Sequence, residues 1–121
     1  MGENSQELHE ENLPADVIDR HRAITSIMEE LEAVDWYDQR VAATSDPELA
    51  AILAHNRDEE KEHAAMTLEW LRRKDPRWDE MLKTYLFTDE PVLEVEEEAA
   101  GDDGAGGSGD LNIRSLRGEN S

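Results

Sequence analysis

Glu60 and His63 lie three residues apart, so on a helix one face offers a carboxylate oxygen and an imidazole nitrogen to the same cation. They stand where apolar residues belong. At heptad spacing the stretch reads Leu49, Leu53, Asn56, Glu60, His63, Thr67 and Trp70, apolar at its start and polar in its middle. Burying an ionised carboxylate is costly unless a cation or tight pairing compensates. Glu30 lies as far before Ser45 as Glu60 lies after it. At ~1.5 Å per residue both are ~22 Å from a turn placed at Ser45, and they face each other at one level of a hairpin. Di-iron bundles use a Glu from each of two helices and a Glu-x-x-His from each of two more. Glu30, Glu60 and His63 are half of that set, and a two-fold dimer with the site on its axis supplies the rest. A second reading stays open: Glu60 and His63 satisfy each other across a dimer seam, as a polar layer that sets its register.

Other chemistry-bearing residues surround this layer. Tyr37 lies seven residues beyond Glu30 on the same flank. Glu29, Glu32 and Trp36 fall on the side of that helix opposite Leu31 and Val34 at ~100° per residue. Such a charge run is ordinarily a solvated face, but Trp36 on it suggests a further subunit interface. Glu29 and Glu32 beside that interface suit a weak cation site or a path by which metal enters. His55, Glu59 and Glu62 share a flank at i, i+4 and i+7 and read as adventitious metal binders. His9 and His21 belong to no constellation.

The elements that must position these groups are helical. Pro14 suits a first helical position, and Val17, Ile24, Ile27, Leu31, Val34 and Val41 recur on one face. Ser45-Asp46-Pro47-Glu48 ends this helix and starts the next, with an Asp cap, a Pro at the first position and a Ser-x-x-Glu capping box. The second helix is expected from about Pro47 to Lys74, carrying Leu49, Leu53, Trp70 and Leu71 inward. Asp75-Pro76 repeats the cap signal and predicts a short helix from Pro76 to Tyr85. The fold class is therefore all-α: an antiparallel two-helix hairpin plus a short C-terminal helix. Each long helix has a stripe to bury and too little to bury it against. Two-fold dimerisation into a four-helix bundle is the simplest remedy.

The chain has 121 residues, 31 acidic against 12 basic, and a formal net charge of −19. That balance argues against nucleic acid and against an anionic membrane surface, and favours cations. Cysteine is absent, which excludes disulfides, thiolate metal sites and iron–sulfur clusters. No apolar run approaches the ~20 residues that cross a bilayer. The polar, acidic start lacks signal-peptide chemistry, so a cytosolic protein is expected. Residues 1–13 read as a disordered N-terminal segment and 14–88 as the helical hairpin. Residues 89–109, with eight acids and no base, read as a disordered acidic, Gly-rich linker.

Several long runs resemble the encapsulated ferritins: His21-Arg-Ala-Ile-Thr-Ser-Ile-Met-Glu-Glu-Leu-Glu-Ala-Val-Asp-Trp-Tyr-Asp-Gln-Arg40 and Ala51-Ile-Leu-Ala-His-Asn-Arg-Asp-Glu-Glu-Lys-Glu-His-Ala-Ala-Met66 above all. Leu68-Glu-Trp-Leu-Arg-Arg73 and Thr84-Tyr-Leu-Phe-Thr88 extend the likeness over the foldable part. The resemblance implies a ferroxidase with a di-iron centre shared by two subunits, in dimers that form a ring-shaped homodecamer. It implies Glu30, Glu60 and His63 as iron ligands with Tyr37 beside them, and Glu29 and Glu32 as the site where metal enters, next to Trp36. The tail, Asp110-Leu-Asn-Ile-Arg-Ser-Leu-Arg-Gly118, looks like the peptide that loads such proteins into encapsulin shells. Leu111, Ile113 and Leu116 are its apolar contacts, so residues 110–121 are expected to dock on a shell protein. The iron would then be stored inside a prokaryotic encapsulin nanocompartment in the cytoplasm. The competing reading is a non-catalytic cargo or scaffold hairpin.

Overall fold

The computed structural model describes residues 12–106, with side chains through residue 101. It contains four helices: α1 (Ala15–Ala43), α2 (Pro47–Lys74), α3 (Pro76–Tyr85) and α4 (Val92–Gly106). No strand occurs among the described residues, and the fold is all-α. No helix is long and apolar enough to cross a membrane. The chain divides into two compact units, Met1–Leu71 and Arg72–Ser121.

In the first unit, local chemistry sets the helix ends. Pro14 precedes α1 as its cap rather than as its first turn, with extended backbone (φ −61°, ψ 152°). Its carbonyl accepts from the Val17 and Ile18 amides, both at 3.1 Å. The turn into α2 is closed by Asp46, whose Oδ1 accepts from the Glu48 and Leu49 amides at 3.0 and 3.4 Å. Asp46 thus takes the cap position, and the Ser45–Glu48 spacing expected of a capping box falls one residue out of frame. Pro47 follows as the first helical residue, where its missing N–H costs nothing.

α1 and α2 run antiparallel. Near the turn, Arg40, Ala43 and Thr44 share a cleft with Leu49 and Leu53. Farther out, Arg57 donates to Asp38 across the helices at 2.9 Å. Glu30 then meets Glu60 and His63, and Ala23 and Ser26 line a cleft with Met66, Thr67 and Trp70. One partner number falls as the other rises, which is the signature of a hairpin.

Little of the expected apolar stripe is covered within one chain. Ala23 and Leu71 are the buried hydrophobics described in this unit, whereas Ile24, Leu31, Leu49, Ile52 and Met66 are exposed.

The second unit departs from expectation. Residues 89–109 are predicted above as a disordered linker, yet Val92–Gly106 is helix α4. Its start is set by Pro91, whose carbonyl accepts from the Glu94 and Val95 amides at 3.0 Å. Glu94 in the first turn suits the positive end of the helix dipole. Val95 is only 2 % exposed, and α3 and α4 contact each other. Averaging over 21 residues hides this, because the apolar content is concentrated in Val92, Leu93 and Val95 within one turn. Asp75 caps α3 as expected, accepting from the Arg77 and Trp78 amides at 3.0 and 3.4 Å. Burial opposes ionisation of Asp79, but Arg72 and Lys83 overcome it and hold the carboxyl below its ordinary range. Of the N-terminal segment only Asn12 and Leu13 are described, and residues 107–121, the tail among them, lie outside the described residues.

If α4 is packed rather than tethered, Val95→Ala removes two buried methyl groups and should destabilise the fold by about 2 kcal/mol. Thermal unfolding with hydrogen exchange across residues 92–100 measures this. Exchange at α4 amides equal to a free peptide in the wild-type chain would contradict the packing.

Candidate metal centre

Glu30 comes from the middle of α1, and Glu60 and His63 from successive turns of α2. One ligand atom from each lies within 4.8 Å of the others, and this is the group of three metal-ligating side chains found among the described residues. Glu30 and Glu60 are half-buried, and His63 is open to solvent on one side. His63 Nδ1 stands 3.7 Å from Glu60 Oε1, an ion-pair distance too long for a hydrogen bond.

The electrostatics ask for positive charge. Burial pushes the Glu30 carboxyl above its ordinary range; the negative charges of Glu60 and Glu29 push it further, and only His63 opposes them. Glu30 Oε1 is buried and has no hydrogen-bond partner. An acceptor of this kind is costly to leave unsatisfied, whereas a cation at the same point satisfies it. Two carboxylates and one imidazole suit a divalent first-row ion such as iron. One chain thus offers such an ion three ligand groups.

The structure sorts the remaining predicted residues. Tyr37 is half-buried and Trp36 is 48 % exposed. The Arg40 guanidinium lies 5.7 Å from the Tyr37 ring centre and 5.9 Å from that of Trp36. Glu29 and Glu32 are exposed on α1, and neither joins the central group within one chain. His55 Nε2 pairs with Glu59 Oε2 at 3.1 Å on an exposed face, and Glu62 does not complete a metal group with them. One positioning contact escapes the pattern of candidate ligands. Arg57 binds Asp38 of α1 at 2.9 Å and its neighbour Asp58 at 3.1 Å, bridging the helices one turn before Glu60. The two hydrogen bonds, that to Asp38 first, raise the Arg57 pKa. Opposite charges at comparable levels of a hairpin are its sequence signal.

A helical hairpin that gathers Glu, Glu and His at mid-length defines a ferritin-like protein with a candidate metal site. The EncFtn-like family profile matches residues 5–89, and the chain belongs to that family. It is 57% identical to the encapsulated ferritin-like protein of Rhodospirillum rubrum over 98% of this chain and 94% of that one. It is 34% identical to an encapsulin nanocompartment cargo protein of Myxococcus xanthus, over 66% of this chain and 65% of the relative. A crystal structure of a Nitrosomonas europaea protein superposes with a TM-score of 0.66 at 65% identity, covering 67% of this chain and 89% of that one.

The raised Glu30 carboxyl has a stability consequence with a definite sign. Its ionised form is disfavoured in the folded state, so stability is full below the ordinary carboxylate pKa and is lost as pH rises through the folded value. Glu30→Gln should therefore raise the unfolding temperature of metal-free protein at pH 7, and the difference should vanish at pH 3. Divalent metal should stabilise the wild type and not the variant. Calorimetry across this pH range, with and without metal, reads all three outcomes.

Proposed function

We propose that the protein is a ferroxidase, with Fe(II) as its substrate at a di-iron site shared by two copies of the chain. The observation that carries this reading is the convergence of Glu30, Glu60 and His63 within 4.8 Å around a buried, unpartnered carboxylate oxygen. In a two-fold dimer each chain contributes two carboxylates and one imidazole, giving four negative charges against the four positive charges of two Fe(II) ions. The carboxylates neutralise the incoming ions, and they stay suitable ligands as the iron reaches the ferric state. The imidazole supplies a neutral nitrogen on each side. Electrons leave the iron pair for dioxygen, and Fe(III) moves on to storage.

The polar-layer alternative pairs Glu60 with His63 across a dimer seam; within one chain the two stand 3.7 Å apart. It leaves Glu30 unexplained, since a layer that satisfied itself would not strand a buried carboxylate oxygen. Tyr37 stands beside the site in this reading, and Glu29 and Glu32, near Trp36, receive metal on its way in. Dimerisation also answers the uncovered apolar stripe of the hairpin, and a ring of dimers, a homodecamer, follows from the family likeness. The names of the Rhodospirillum rubrum and Myxococcus xanthus relatives support a place inside an encapsulin compartment. Leu111, Ile113 and Leu116 of segment 110–121 would then hold the protein to the shell.

Removing a group that merely orients a metal ligand typically costs ~10–100-fold. Glu30→Ala, Glu60→Ala and His63→Ala each remove two ligands from a symmetric site, so each should slow Fe(II) oxidation by about 100-fold or more. Anaerobic Fe(II) titration followed by oxygen exposure measures stoichiometry, expected at about one iron per chain, and rate. Wild-type rates in the three variants would refute the assignment.

The tail has a separate readout. Deleting the chain from Asp110 onward should leave the oxidation rate nearly unchanged while abolishing co-purification with a co-expressed encapsulin shell. Replacing Leu111, Ile113 and Leu116 with Ser should do the same.

A further inference from the structure

Charge in the second unit is sharply divided. Residues 89–98 hold six acids and no base, and between Lys83 and Arg114 the sequence has no lysine or arginine. The cations that follow, Arg114 and Arg117, stand in the stretch Leu111-Asn-Ile-Arg-Ser-Leu-Arg117, which has no acid. An acidic segment is thus followed, in the same unit, by a short basic and apolar one.

The acidic segment also carries uncovered apolar surface. Leu86 and Phe87 follow α3, Val92 and Leu93 open α4, and all four are exposed, Phe87 and Leu93 most of all. Phe87 stands in left-handed backbone (φ 62°), which bulky side chains resist. Burial resumes one turn further on, at Val95. An apolar patch of this kind marks a contact, and the acids around it select an occupant that brings cations.

Residues 110–117 have both the chemistry and the reach. α4 ends at Gly106, ~21 Å from Val92 at ~1.5 Å per residue. Gly107-Ser108-Gly109 can turn the chain back, since glycine takes left-handed backbone freely. From there residues 110–116, if extended at ~3.3 Å each, cover ~23 Å and bring Leu116 level with Val92 and Leu93. By the same count Arg114 falls beside Glu96 and Glu97, and Arg117 beside Asp89 and Glu90.

We propose that segment 110–117 docks along α4 of its own chain. Leu116 covers Val92 and Leu93, and Arg114 and Arg117 pair with the acids on either side. Leu116 is also one of the residues proposed to hold the protein to the shell, so a docked segment is withheld from that partner until it is displaced. This consequence rests on the shell reading, whereas the contact itself does not. The contact buries little and is held partly by charge, so it weakens as salt rises and yields to a better-fitting groove.

The absence of native cysteine permits a direct test. Full-length metal-free protein carrying Val92→Cys and Ser115→Cys is treated briefly with a short bis-maleimide and separated by mass under denaturing conditions. Val92 is exposed, so the change leaves the packing of α4 intact. The expected product is a single chain bridged to itself. Adding Leu116→Ser should slow its formation by about tenfold, the scale set by uncovering one leucine. Arg117→Glu should slow it as well, and adding Asp89→Arg and Glu90→Arg should then restore it. A rate unchanged by Leu116→Ser, a rate unchanged by Arg117→Glu, or bridges formed only between chains would each overturn the proposal. No shell protein is present, so failure here stays separate from failure of the shell reading, which is judged by co-purification alone.

Discussion

A buried carboxylate oxygen without a partner is the constraint on which the rest of this structure depends. Glu30 holds it midway along α1, facing the carboxylate of Glu60 and the imidazole of His63. Three such groups cannot relieve one another, because both carboxylates are acceptors when ionised and the one imidazole is shared. The raised Glu30 carboxyl expresses that strain, with burial its leading cause. A divalent cation removes the difficulty at a stroke, supplying the charge that desolvation and like-charge repulsion demand.

The hairpin is built to hold this arrangement, with little core of its own. Its turn is fixed by the Asp46 cap and Pro47, and Arg57 bridges to Asp38 between the turn and the site. These contacts set the level at which α1 and α2 face each other, and so bring Glu30 opposite Glu60. Exposed ion pairs of this type contribute little to stability, typically under ~1 kcal/mol each. Their use is register. The apolar residues that would ordinarily stabilise such a pair of helices are largely uncovered: Leu31, Ile52 and Met66 are each more than half exposed. The two-fold dimer proposed above would cover this stripe and bring a second set of the same ligands to the site.

The second unit shows the same economy in a different form. Arg72 and Lys83 converge on Asp79, Thr84 is buried and donates to the Glu80 carbonyl at 2.8 Å, and Val95 packs from α4. A few buried groups order a stretch whose composition is otherwise that of a solvated chain. What this unit leaves outside, Phe87 above all, is as specific as what it buries, since an aromatic residue in left-handed backbone is not a default of turn chemistry.

Much of this was legible before any coordinates. Helical periodicity, the Asp-Pro signals at Asp46 and Asp75, and an interrupted apolar stripe determine the all-α class, the ends of α2 and α3 and the pairing level of Glu30 with Glu60 and His63. These are local properties, governed by side chains within a turn of each other. The α4 helix was not legible, because its few apolar residues gain their value only by contact with α3, and composition alone assigned them to a linker. The unpartnered state of Glu30 Oε1, the stacking of Arg40 on Trp36 and Tyr37, and the exposure of Phe87 were likewise settled only in three dimensions. Each depends on which groups distant in sequence come close and which do not. A sequence specifies the donors and acceptors a chain carries; only the packed structure decides which of them are left without a partner.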